Sequence, residues 1–366
     1  MTTFAQAINL MIQKKNLSYT EMSYCFERLM NNQETEMNQG AFLAALAAKG
    51  ETPEEIRAVW EKIMELDTVL ARPQVESPVV ENSGTGMDSL KTFNISTLAA
   101  LCAASAGVNI ARHGSRAITS SCGTVDILEQ VGVGMDVEPE IVRESIEKTQ
   151  IGLFNGTSPL VHPAALGRIL SQISFGSVLN IAASLANPAI PDYAVRGVGS
   201  PEMVKPVAEI MQKIGIKKAL VVHGLTSDGQ NGMDEASILG ETLFAYYEGE
   251  KPLETGSFCP EDLGIKRGQV EDIQALGNAQ QESRRFLHIL AGRGKRSQND
   301  IVALNSGLIL HLSGQVRDLK TGYQKSLEIL GNKQALGKLR QWIAVQNRVE
   351  KREQACTRFD QLLEAM

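Results

Sequence analysis

ENSGTGMDSLKTFNIST, residues 81–97, is the stretch from which the rest of the chain is best read. The apolar pair Val79-Val80 runs into Gly84, Thr85 and Gly86. A strand followed by glycines predicts a bend whose backbone N–H groups point outward with no side chain in the way. Asn94, Ser96 and Thr97 then open the apolar segment LAALCAASAGVNIA. Hydroxyl and amide side chains of this kind suit a helix N-terminus. A glycine bend beside a helix N-terminus is a physical recipe for holding phosphate or pyrophosphate. It is not the Walker pattern, because no Gly-Lys-Ser/Thr follows, and it lacks the third glycine of the dinucleotide fingerprint. On these residues alone an ordinary polar turn stays open.

Outward from this stretch, short β-branched runs alternate with helical ones. Val79-Val80, Val108 to Ala111, Val178 to Ile181 and Ala219 to Val222 read as strands. That alternation predicts an α/β lobe with a mostly parallel sheet. Glu202 to Ile214 reads as an amphipathic helix stopped by Gly215. Before it, residues 1–72 read as a small all-helical domain. Ser18 to Glu21 is a capping box ahead of Met22, Cys25, Phe26 and Leu29, and Thr52-Pro53-Glu54-Glu55 is another ahead of Ile56, Val59 and Ile63. ARPQVESP, residues 71–78, loses all periodicity and reads as the hinge into the larger α/β domain, residues 73–366.

Bulk composition bounds the function. At 366 residues the chain exceeds the ~250–300 at which single cores stop growing. A hydrophobic share of 43% and a charged share of 21% describe a folded globular protein. A net charge of −6 argues against nucleic acid as partner, since phosphate backbones need a basic face. The five cysteines show no metal-like spacing, and Cys25 and Cys102 sit in apolar helical runs. No signal-like N-terminus and no uninterrupted apolar run of ~18 residues is visible, so a cytoplasmic protein without a membrane partner is expected.

Asp234-Glu235 stands out among the charged residues. It follows the apolar run ALVVHG and a polar loop, which places two adjacent carboxylates beyond the C-terminal end of a strand, where ligands of open α/β sheets gather. Hard oxygen ligands beside a diphosphate suit Mg²⁺. On placement alone, a solvated acidic pair is the commoner outcome.

GTGMDSLKTFNIST followed by ARHGSRAITSSCGTVDILEQVG resembles the signature of the anthranilate phosphoribosyltransferases, and the similarity continues through SPEMVKPVAEIMQKIGIKKALVVHG to DIVALNSGLIL. The resemblance implies an Mg²⁺-dependent transfer of the 5-phosphoribosyl group from phosphoribosyl pyrophosphate (PRPP) to anthranilate, in tryptophan biosynthesis. It assigns Gly84, Thr85, Gly86, Asp88, Thr92, Asn94, Ser96, Arg112 and Thr124 to the donor. Asp234 and Glu235 with Ser96 would hold the metal. His113, Ser115, His162 and Arg168 fall on the acceptor side, and no side chain is expected to act as an obligatory catalytic acid or base. The family is homodimeric through its helical lobe, to which helices from about 163–176 return.

Several positions depart from the family pattern. Met87 replaces a glycine of the bend, Arg112 a lysine, and Ser121 and Cys122 a Lys-Ser pair. Ser115 replaces an amide that contacts the aromatic substrate. The arginine that grips the anthranilate carboxylate is missing near Gln172, with Arg168 the nearest in sequence. Gly-Pro-Leu of the next loop reads Ala183-Ser184-Leu185. The same donor chemistry on another aromatic or heterocyclic amine is therefore the alternative. A non-catalytic nucleic-acid-binding or scaffold relative is a third reading; the net charge and the intact Asp234-Glu235 speak against it.

Overall fold

The computed structural model describes residues 2–365 apart from Met87 and residues 117–122. The family departures at Met87, Ser121 and Cys122 thus lie outside the described residues. The chain opens with α1 (Phe4–Ile12), α2 (Tyr19–Met30), α3 (Glu36–Lys49) and α4 (Pro53–Asp67). Each start is written locally: Thr3, Ser18, Thr35 and Thr52 accept the N–H three residues on, and Gln6, Glu21 and Glu55 reach back to close capping boxes.

Eight strands among the described residues form one sheet: β1 (Val79–Gly84), β2 (Asn109–Gly114), β3 (Ile151–Asn155), β4 (Tyr193–Gly197), β5 (Lys218–Leu225), β6 (Gly232–Met233), β7 (Thr242–Glu248) and β8 (Glu254–Phe258). Their spatial order is β3-β2-β1-β4-β5-β7-β8, with β6 beside β5. The first five pair in parallel, and β6, β7 and β8 join antiparallel. From β1 the chain moves outward through β2 to β3, then returns to the other side of β1 for β4. The strand order reverses between β1 and β4, and the crevice beyond their carboxyl ends is where such sheets hold ligands.

The helices that follow are α5 (Ile95–Ser105), α6 (Thr124–Val131), α7 (Pro139–Thr149), α8 (Leu166–Leu170), α9 (Leu179–Ala182), α10 (Val204–Lys213), α11 (Val270–Ile273), α12 (Ala279–Leu290), α13 (Arg296–Leu312), α14 (Leu319–Gly331), α15 (Gln334–Val345) and α16 (Arg352–Glu364). Strand alternation sorts the core into faces. Val80, Ile110, Val195 and Val222 pack with the apolar helices α5 and α13. Ala194, Val221 and Ala245 share a second core with Phe26, Phe42, Leu46 and Ile63 of the N-terminal helices and with Leu166, Ile169 and Leu179. Val178 to Ile181, read from its branched residues as a strand, lies at and within the single turn α9. Leu179 and Ala182 are buried there, and Ser177 N–H donates to Asn180 Oδ1 (2.9 Å), so tertiary burial and a local cap override β-propensity.

Candidate active site

Gly84 and Gly197 end β1 and β4, and the Asp234 loop lies directly over them. A Cβ on Gly84 would stand 2.0 Å from Asp234 Oδ2, and one on Gly197 only 1.5 Å from the Asp234 carbonyl oxygen. The close approach is fastened where Gly86 N–H donates to Asp234 Oδ2 at 2.7 Å. Gly86 takes a φ of 71°, which a side chain would strain. The glycine bend and the acidic pair, 148 positions apart in the chain, thus meet at the strand-order reversal.

Around them stand two helix starts. Asn94 caps α5, its Oδ1 accepting from Thr97 N–H at 3.2 Å, while its Nδ2 donates to Thr124 Oγ1 at 3.0 Å across to the start of α6. Ser96 is half-buried in the first turn of α5. Thr92 bridges to Gln274 near the base of the loop. Lys91 Nζ ties the Gly86 carbonyl (3.0 Å) to Asp88 (3.2 Å). The Thr85 and Gly86 N–H groups of the bend are engaged by the Gly197 carbonyl (3.1 Å) and Asp234 Oδ2 (2.7 Å), which leaves the positive ends of two helices as the setting that favours an anion.

The carboxylates in this corner are crowded. Burial and then Asp234 push Asp88 up to about 6. Burial, then Asp234, raise Glu235 well above the usual carboxylate range, partly opposed by Arg112. Arg112 is itself buried, which lowers it to about 10. Its guanidinium donates to the Asn82 carbonyl of β1 (3.1 Å) and, at the α5 start, to the Thr97 hydroxyl and Ser96 Oγ (2.8 Å), so it ties β1 to α5. Thr85 Oγ1 and Asn82 Oδ1 are buried with no partner among the described residues. Two adjacent, mutually repelling carboxylates, with an unused amide oxygen on β1 and an unused hydroxyl just beyond it, are hard-oxygen groups of the kind a Mg²⁺ ion takes. Among the described residues no three His, Cys, Asp or Glu side chains close into a cage.

The opposite face of the same strand ends is built differently. His113, on β2, and His162 are both buried and meet edge to face, with Nε2 atoms 3.2 Å apart. His162 Nδ1 lies 2.8 Å from the Asp67 carbonyl, which only accepts, so that nitrogen carries the proton and leaves His162 Nε2 as the acceptor that faces His113 Nε2. Burial chiefly, and then His162, hold His113 down to about 3; burial also lowers His162. Gly156 closes over this pair, where a Cβ would come within 2.6 Å of His113 Nε2. Asp67 accepts the N–H groups of Ala164, Ala165 (2.9 Å) and Leu166 (2.6 Å), pinning the His162 segment to the end of α4. Ser115 is half-buried just beyond β2.

Arg168 does not join this group. It turns into the N-terminal helices, donating to Gln39 Oε1 (2.9 Å) and to the Leu29 (2.9 Å) and Met30 (3.4 Å) carbonyls at the end of α2. Carbonyls in the last turn of a helix keep accepting capacity, and the guanidinium adds to the Asn32 N–H that the Leu29 carbonyl already accepts (3.2 Å).

Sequence reasoning does not single out Glu81, Ser83 or Arg196, which occupy the His113 face. Arg196 faces Ser83 across the β1–β4 register. Its guanidinium donates to the Ser83 and Ser184 hydroxyls and stands 3.8 Å from Glu81 Oε1. The available signal is a charge of each sign inside the apolar strands VVENSG and YAVRG. A hollow of about 440 Å³ lined by Thr2, Gln6, Asn9, Leu10 and Gln13 lies beside α1 and contains none of these groups.

Comparison with known proteins agrees with this geometry. Residues 76–336 match the α/β domain model of a glycosyl transferase family, and residues 5–66 match that family's helical bundle domain. The chain is 36% identical to the anthranilate phosphoribosyltransferase of Persephonella marina, over 92% of this chain and 97% of the relative. The crystal structure of anthranilate phosphoribosyltransferase from Thermus thermophilus is 32% identical and superposes with a TM-score of 0.80, covering 93% of this chain and 99% of that one. The enzyme from Saccharomyces cerevisiae, solved in complex with PRPP and Mg, shares the fold at 20% identity and a TM-score of 0.79, covering 94% of this chain and 97% of that one. The chain belongs to the anthranilate phosphoribosyltransferase family of glycosyl transferases.

Proposed function

We propose that the chain transfers the 5-phosphoribosyl group of PRPP to anthranilate and releases pyrophosphate, a step of tryptophan biosynthesis. The observation that carries this reading is Asp234 seated with its carboxylate over Gly84, its backbone carbonyl over Gly197, and its Oδ2 accepting from Gly86 N–H. The diphosphate would lie against Gly84, Thr85 and Gly86, with Asp88 and Thr92 bordering the bend and Asn94 and Thr124 marking the starts of α5 and α6. Mg²⁺ would be held by Asp234 and Glu235, with Ser96 as a further ligand, and would neutralise charge on the departing pyrophosphate.

The chain's own residues position rather than react. The positive ends of the two helices would face the oxygens on which negative charge grows as the C1–O bond of the ribose breaks, while the Thr85 and Gly86 N–H groups of the bend hold the Gly197 carbonyl (3.1 Å) and Asp234 Oδ2 (2.7 Å) in place. On the other face of the strands, His113 and His162, both neutral, and Ser115 would border the amine whose nitrogen bonds to C1. That nitrogen sheds its proton readily once bonded, so proximity and electrostatics suffice. Arg112 acts here as the buried counter-charge to Glu235.

We read residues 1–72 and 73–366 as the two lobes, with the α8 segment packed on the first, and the chain as a cytoplasmic homodimer joined through its helical lobe. The relatives' names and the shared fold support the acceptor and the metal. No helix among the described residues is long and apolar enough to cross a membrane. The test is calorimetric titration of PRPP with Mg²⁺ into the wild type and a D234A/E235A variant, beside an assay of pyrophosphate release with anthranilate. Loss of Mg²⁺-dependent binding in the variant is expected, and unchanged binding would refute the metal assignment.

A further inference from the structure

The acceptor side lacks an arginine where the family keeps one, and Arg168 is spent on the N-terminal helices. Another guanidinium is nevertheless present on the correct face of the sheet. Arg196 and His113 lie on the face turned toward the α9 segment, both at strand carboxyl ends. Ser184 joins them: its hydroxyl accepts from Arg196, and its carbonyl stands 3.5 Å from His113 Nδ1.

This arginine is 1% exposed, yet its needs are incompletely met. Glu81, its carboxylate partner, stands off at 3.8 Å instead of forming a bidentate pair, and Arg196 Nε and Glu81 Oε2 both lack partners among the described residues. A buried guanidinium with spare donors and a loosely held counter-ion is costly to keep, since each unmade bond costs the desolvation of its group. The spare donor and the spare acceptor belong to one loosely paired couple, 3.8 Å apart at Nη1 and Oε1, and complement a ligand that presents an anionic acceptor next to an N–H donor. An ortho-aminobenzoate does so, with its carboxylate beside its amine.

We propose that Arg196 is the specificity-determining residue of the acceptor site, gripping the carboxylate of an aromatic amino acid acceptor, with Ser184 and Glu81 setting its orientation. The inference rests on the transferase reading above and adds the residue that selects the acceptor. A carboxylate entering beside His113 takes the donors of Arg196 that now meet Ser184 or nothing, replacing hydroxyl contacts by charge-assisted ones.

The experiment compares kcat/KM for anthranilate with that for its neutral isostere 2-aminobenzamide, using the full chain with PRPP and Mg²⁺. Fluorescence titration of anthranilate onto the PRPP-loaded chain runs in parallel. R196M should lower the anthranilate-to-amide ratio roughly 10- to 100-fold, through KM more than kcat, while KM for PRPP stays within about twofold. R196K should fall between, because a point charge replaces the fork. Should R196M fail to fold around an unpaired Glu81, the double variant E81Q/R196M removes both charges and should show the same loss of preference. A ratio unchanged in a wild-type-active background overturns the inference and leaves the transferase reading standing. A wild-type chain that neither binds anthranilate nor turns it over overturns both.

Discussion

Alanine at Gly84 or Gly197 tests whether the meeting of the glycine bend with the acidic loop makes the donor site. Ordinary contact begins near 3.4 Å, so a Cβ on Gly84, at 2.0 Å from Asp234 Oδ2, forces that oxygen back by about 1.4 Å. The carboxylate can rotate, and G84A should break the 2.7 Å bond from Gly86 N–H while leaving the backbone in place. On Gly197 the obstacle is the Asp234 carbonyl at 1.5 Å, so the loop itself must retreat by about 1.9 Å and carry Glu235 with it. Displacements of about 1 Å in positioning groups cost on the order of 10²-fold in rate, or about 3 kcal/mol of transition-state stabilisation. G197A should therefore lose at least 10²-fold in kcat/KM for PRPP, and G84A less. Overpacking should add about 1–3 kcal/mol of destabilisation to G197A. Gly176 meets nothing within 4 Å and has no left-handed φ, so G176A serves as the control. The assay is pyrophosphate release across an Mg²⁺ series, with urea unfolding to separate stability from function. A folded G197A enzyme with wild-type Mg²⁺ dependence and rate would refute the reasoning.

Two further outcomes follow from the other face. D67A should strip the acceptor from three N–H groups at the start of the α8 segment and cost about 3 kcal/mol, seen as a lowered urea midpoint, with KM for the acceptor raised because His162 loses its support; an unchanged midpoint would show that water replaces the carboxylate. His113 is held down to about 3 from an ordinary 6.5, so between those values the unfolded chain binds the extra proton and the folded one does not. Its stability contribution is thus complete above about pH 6.5 and drains away as pH falls, by about 2 kcal/mol between pH 7 and pH 5. H113N should flatten the pH dependence of unfolding by that amount, and an identical slope in wild type and variant would exclude His113 as its source.

Much of the donor side is legible in sequence because its signals are local. A strand, a glycine bend, an Asn N-cap and a helix follow one another within residues 79–105, and each obeys a short-range rule. The helix starts at Ser18 and Thr52 are readable for the same reason. The antiparallel edge is not. β8 is exposed along nearly its whole length, so no period-2 burial marks it, and β7 alternates only weakly. The Glu81–Arg196 contact is hidden differently. Its two residues lie in strands whose adjacency depends on the order reversal between β1 and β4, and no short-range pattern shows that a strand near residue 80 pairs with one near residue 195. Arg168 misleads by proximity: close in sequence to His162, it is drawn away by Gln39 and by the Leu29 and Met30 carbonyls at the end of α2.

The geometry of a β-strand explains how one site can keep its donor and change its acceptor. Along β1, Asn82 turns toward α5, where its amide donates to the Ser96 carbonyl at 2.8 Å, while Glu81 and Ser83 turn the other way toward Arg196. Along β2, Arg112 faces the α5 start and His113, its immediate neighbour, faces His162. Successive residues of the same two strands therefore serve opposite sides of the sheet. A substitution at one position leaves the other face's contacts in place, because the pleat separates them and the backbone ladder between them is unaltered. On the proposed reading donor recognition would concentrate in the glycine bend, the helix starts and the Asp234 loop, so changes at Ser115 and Ser184 would alter the acceptor wall while leaving the diphosphate corner in place, whereas Arg196 also feels the Asp234 charge. Selectivity on one face should accordingly be separable by mutation from donor affinity on the other, with near-additive energies for pairs that share no partner.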